Sequence, residues 1–134
     1  MPTLSPEQQI DALLCGRAHV LAREHAPPGH DEAPYAALFT LSAEAIHDHV
    51  QRHGLPPGAC QLAPDARDGL YLVDTGGRHR LYWQERGMAL REWHFADRSA
   101  ALAAAVDELL VNGSRGLYVR SRSGRVQRRE PPAA

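Results

Sequence analysis

Three histidines stand close together in "HDHVQRH", at His47, His49 and His53. His49 and His53 are four residues apart, so on a helix they share a face and could pinch a metal ion between their rings. His47 falls about 200° around the helix from His49 and points elsewhere. A closed zinc site needs a third ligand from another element, and no spacing rule singles out Cys60, His30 or Asp31 for it. The expectation is a solvated, His-rich helix face, with no metal and no cofactor.

Acid–base or nucleophilic chemistry has the raw material but no motif. Eight histidines, several carboxylates and Ser42, Ser99, Ser114, Ser121 and Ser123 are present. None falls in a nucleophile elbow, an HExxH or a Cys/His pattern. Glu85 and Glu92 could approach across a hairpin as paired carboxylates. Arg86 and Arg91 flank them, however, and cross-strand charge pairing explains the same pattern without catalysis. Gly76-Gly77 is not followed by a helix start, so it cannot cradle a phosphate and reads as a hairpin turn. The expectation is that the chain is not an enzyme and has no catalytic residues.

What remains is recognition. From Gly69 to Phe95 the sequence reads "GLYLVDTGGRHRLYWQERGMALREWHF". Tyr82 and Gln84 alternate with Leu81, Trp83 and Glu85, while Trp93 and Phe95 alternate with Glu92 and His94. One face packs under a helix, and the other offers aromatic and Arg side chains of the kind enriched at interface centres. The candidate partner contacts are Tyr82, Gln84, Glu85, Arg86 and Arg91.

These strands need helices to hold them. Ser5-Pro6-Glu7-Gln8 is a capped helix start, and Ile10, Leu13, Leu14, Ala18 and Leu21 recur at helical spacing, predicting one helix to about His25. Residues 26–41 form a linker with a helical turn at Pro34–Phe39. A second helix runs from Ser42 to His53 and stops at Gly54. Ala59–Leu62 reads as a short edge strand, followed by strands at Leu70–Thr75, His79–Glu85 and Met88–Phe95. Asp97 caps a third helix that ends at Asn112-Gly113. Gly116–Arg122 could add a last strand, and residues 123–134 read as a frayed tail. The order α-α-β-β-β-β-α predicts an α+β fold, a meander of about four antiparallel strands with helices on one face. Residues 1–113 form one domain, and 114–134 an Arg-rich strand or tail.

Length and composition agree with a single soluble domain: 134 residues, 43% hydrophobic and 23% charged. No signal peptide or membrane span is legible, and two cysteines on different elements read as reduced thiols, so a cytoplasmic protein is expected. The net charge of −1 hides a polarity. Residues 1–68 carry nine acidic and four basic side chains, whereas residues 113–134 carry six Arg against Glu130. Those Arg residues could contact nucleic acid phosphates, or they could dock on the acidic N-terminal half.

The stretches "HGLPPGAC", "GLYLVDTGG", "HRLYWQERG" and "REWHFADRSAALAAAVDELL" together resemble small bacterial immunity proteins of polymorphic toxin systems. The resemblance spans residues 42–112, and "YWQERG" is its most particular piece. It implies a non-enzymatic antidote that binds one cognate toxin, encoded next to it, and occludes the toxin's active site. No catalytic residue transfers. The other functional expectation is a nucleic-acid-associated accessory protein acting through the Arg-rich C-terminus.

Overall fold

The computed structural model describes residues 3–129. The fold is α+β, built from five helices, a three-stranded antiparallel sheet and a two-stranded hairpin. Helix α1 (Pro6–Leu14) begins with the expected capping box: Gln8 N donates to Ser5 Oγ at 3.1 Å, and Ser5 N donates to Gln8 Oε1 at 2.8 Å. It does not continue to His25. Gly16 adopts φ 71°, and Arg17 N donates back to the Ala12 carbonyl at 2.8 Å. That is a Schellman stop with glycine at its left-handed position. A separate helix α2 (Ala18–Glu24) follows it.

The linker forms the short helix α3 (Tyr35–Leu38), which sinks Leu38 and Phe39 into the core. Helix α4 (Ala43–His53) is capped by Ser42, whose Oγ accepts from Ala45 N at 3.1 Å, and it buries Ala43, Ile46 and Val50. Strands β1 (Gly69–Asp74), β2 (His79–Glu85) and β3 (Met88–Phe95) form a meander in the order β1-β2-β3. Both turns place two residues at positive φ, Gly76-Gly77 and Arg86-Gly87, matching the twist of the strands they join.

The edge strand expected at Ala59–Leu62 contracts to one residue. Gln61 bridges β1 in parallel, with its N–H on the Leu70 carbonyl and its carbonyl accepting from Leu72 N, each at 2.9 Å. Pro56, Pro57 and Pro64 bracket the segment and deny it a longer ladder.

Helix α5 (Arg98–Gly113) is the centre of the molecule. Asp97 Oδ1 accepts from Ser99 N at 3.0 Å to start it. Its Ala101, Leu102, Ala105, Val106, Leu109 and Leu110 are buried among α1, α4 and the sheet. Leu70, Leu72 and Leu81 supply the sheet's side of this core.

Residues beyond α5 correct the tail reading. Strands β4 (Tyr118–Arg120) and β5 (Val126–Arg128) pair as an antiparallel hairpin docked on α4 and α5. Tyr118 is fully buried and donates its hydroxyl to the Leu41 carbonyl at 2.6 Å. The tail expected over residues 123–134 is therefore structured as far as Arg129, and its last residues, 130–134, lie outside the described residues.

Candidate functional site

The five sequence-predicted contact residues separate into two groups. Tyr82 and Gln84 are taken inward. Tyr82 is 4% exposed, stacked flat on Tyr71 with ring centres 4.9 Å apart, and covered by the Arg80 guanidinium at 4.0 Å. Tyr71 Oη lies 2.6 Å from the Arg67 carbonyl and 3.0 Å from that of Asp65. Gln84 Nε2 donates to the same two carbonyls at 3.0 and 2.8 Å. The segment between Gln61 and Gly69 thus folds over the outer face of β1 and β2, satisfying polar groups that would otherwise be stranded beside the stacked rings. That half of the sheet is closed, which corrects the expectation of an open aromatic face.

Glu85, Arg86 and Arg91 remain exposed at the far end of the second hairpin. Glu85 and Glu92 do not meet. Glu85 is opposite Met88, whereas Glu92 is opposite Tyr82 and bonded by Arg80 at 2.8 Å and His94 at 2.6 Å. Arg80 first and His94 second hold the Glu92 carboxyl down at about 2. Cross-strand charge pairing is present, but through Arg80 rather than Arg86 or Arg91.

Pairing slips between Trp83 and Gln84, leaving Leu90 as an extra residue on β3. The bulge aims Leu90 and Arg91 together toward α5. There they line a cleft of about 600 Å³ between the hairpin end of the sheet and the C-terminal half of α5. Trp83, Glu108, Val111 and Arg120 complete its principal walls. Glu108 is the organising residue, 8% exposed. Trp83 Nε1 donates to its Oε1 at 2.7 Å, Arg120 donates to its Oε2 at 2.8 Å, and Arg91 stands 3.6 Å away. Arg91 also lies over the Trp93 ring at 4.9 Å.

Both oxygens of Glu108 are engaged by charge-assisted or indole donors, an arrangement that fixes a shape. The cleft can therefore offer a rigid mixed surface: Trp83 and the Arg stems as apolar walls, with Glu85 and Asp68 as acidic edges. Its walls also carry exposed apolar side chains. Of the four large hydrophobic side chains that stand exposed among the described residues, Met88 (68%), Leu90 (58%) and Val111 (40%) gather at this end of the molecule. Sequence reasoning missed Glu108 and Arg120. The signal was there: a glutamate among the buried positions of α5 demands a partner.

The histidine cluster divides as its spacing predicts. His47 Nε2 sits 2.8 Å from Asp107 Oδ1, and the His49 and His53 rings lie 4.7 Å apart. Among the described residues no group of three or more His, Cys, Asp or Glu is placed to hold a metal. Cys15 and Cys60 are free thiols. Burial, and then the nearby Cys15, push the Cys60 thiol up to about 11.

The C-terminal Arg residues stay exposed, apart from half-buried Arg128, and several make surface contacts. Arg115 pairs with Glu32 and covers the Tyr35 ring, Arg120 pairs with Glu108, and Arg125 reaches Glu44 at 3.9 Å. Arg128 donates to the carbonyls of Phe39 and Ala36 at 3.0 and 2.9 Å. Arg122 and Arg129 have no side-chain partner among the described residues. No helix among those residues is long and apolar enough to cross a membrane. Compared with protein-family models, with curated proteins and with solved structures, the chain matches none.

Proposed function

We propose that this chain is an immunity-type protein, a non-enzymatic antidote that binds the catalytic domain of one cognate bacterial toxin in the cytoplasm and occludes its active site. The observation that carries the reading is the exposure of Leu90 and Val111 on the walls of a cleft built from Trp83 and Arg91, with Met88 exposed beside it opposite Glu85. An apolar centre edged by Arg and Glu is the composition of a recognition surface. The resemblance of "YWQERG" to immunity proteins points to the same hairpin. Glu85, Arg86 and Arg91 keep their places as contacts, while Tyr82 and Gln84 act from beneath by holding the sheet's closed half.

Co-expression with the product of the adjacent gene tests the proposal. A host carrying both genes grows, and a host carrying the neighbour alone does not. Equal growth in the two cases, or equal arrest, would sink the reading. The nucleic-acid alternative would draw first on the exposed Arg122, Arg125 and Arg129, whose side chains are the least engaged of the C-terminal Arg residues.

A further inference from the structure

Strand β3 has a partner on one side only. It is the last strand in the order β1-β2-β3, and among the described residues no backbone hydrogen bond joins its outer edge to anything else. Proteins usually protect such an edge with proline, lysine, a bulge or a covering element. The Leu90 bulge interrupts β3 at its hairpin end, which leaves residues 91–95 as a regular, uncovered run of Arg91-Glu92-Trp93-His94-Phe95. Arg91, Trp93 and Phe95 lie on the α5 side, while Glu92 and His94 lie on the other.

We propose that this edge pairs antiparallel with the same edge of a second copy, forming a six-stranded sheet across a two-fold axis at Trp93. The register follows from symmetry, charge and the extent of the strand: β3 ends at Phe95, so an axis through His94 or Phe95 would leave Arg91 and Glu92 without a strand residue opposite them. A two-fold perpendicular to the sheet requires opposed residues to share a face, so the axis must pass through a residue. Centring it on Arg91 sets two guanidinium groups against each other, and centring it on Glu92 does the same with two carboxylates. Like charges directly opposite are destabilising.

Centred on Trp93, every pair is favourable. Glu92 faces His94 of the second copy, Arg91 faces Phe95, and the two Trp93 rings meet at the axis. Arg91 already lies over an aromatic ring within one chain, so stacking on the second copy's Phe95 extends a contact it makes. Arg80, which holds Glu92 from behind, fixes the carboxylate for its new neighbour. The run is short, so the interface falls at the small end for specific association and dimerisation should depend on concentration in the micromolar range.

This dimer shares Arg91 with the proposed toxin contacts but does not depend on toxin, so it is tested on the purified chain alone, by sedimentation equilibrium over a dilution series. Wild type is expected to convert from monomer to dimer as concentration rises. His94→Glu sets a carboxylate opposite Glu92 twice per dimer and is expected to weaken association about tenfold, whereas His94→Lys keeps the pair attractive and retains it. Both changes are at an exposed site, and circular dichroism verifies that each variant folds. A wild-type chain that stays monomeric throughout would overturn the proposal. So would a dimer indifferent to the sign of charge at position 94.

Discussion

Glu108 carries an ionisable carboxylate at a nearly closed position and is held there by Trp83 and Arg120. Glu108→Ala removes the acceptor and leaves an indole N–H and a guanidinium facing a void. We expect a loss of about 1–3 kcal/mol in urea denaturation, with Glu108→Gln costing less because it still accepts from the indole. Glu92 makes a different prediction, in acid. Its carboxyl is held at about 2 by Arg80 and His94, against an ordinary value of 4.5. A depressed carboxyl adds stability that is fully present above pH 4.5 and is lost as the pH falls toward 2. Arg80→Met should flatten the fall of stability across that window, as read by denaturation midpoints at several pH values. Neither role was legible from spacing alone. Arg86 and Arg91 were the nearer candidates for charge pairing by sequence, but strand register turned Arg91 toward α5 and gave Glu92 to Arg80.

At the scale of elements, turn chemistry was readable and packing was not. The glycine pairs and caps identified the hairpins and helix starts, because each requires a particular backbone conformation or side-chain acceptor. The apolar stripe of the first helix suggested continuity through Gly16, yet the reverse bond from Arg17 to Ala12 ends it there. Periodicity survives such a break when both pieces pack on the same core. Likewise the hairpin of β4 and β5 could not be inferred from an Arg-rich stretch, since Tyr118 and Val126 reveal their burial only when α4 and α5 are in place. Gly113 marks another contact the sequence conceals. A Cβ there would meet the Leu13 carbonyl oxygen at 2.9 Å, so α1 and α5 cross at a distance that requires glycine. Alanine favours helix by up to about 1 kcal/mol, but the clash with backbone exceeds it. Gly113→Ala should therefore lower stability by about 1–2 kcal/mol, measured as a drop in Tm.

At the scale of the whole molecule, the charge polarity of the sequence is resolved in small part by surface pairs within the fold. Acidic Glu32 and Glu44 from the first half meet Arg115 and Arg125 from the last segment. The C-terminal hairpin also closes the core over Tyr118. Deleting residues 114–134 should therefore unfold the protein or cut its stability by at least about 3 kcal/mol, seen as a lost or strongly lowered thermal transition. Arg122→Gln with Arg129→Gln is the gentler probe of phosphate binding. Among the described residues, the second hairpin, α5 and β4 set exposed Leu90 and Val111 beside Arg91 in the cleft, with Met88 exposed next to it. The most direct measurement of the cleft's role is calorimetric titration of the full chain into the catalytic domain of the proposed cognate toxin. The proposed occlusion predicts a one-to-one complex that silences the toxin's activity. It further predicts that Met88→Ser, Leu90→Ser and Val111→Ser combined weaken the complex about a hundredfold or more while the Tm stays close to wild type. The absence of binding, or a triple variant that binds as tightly as wild type, would contradict it.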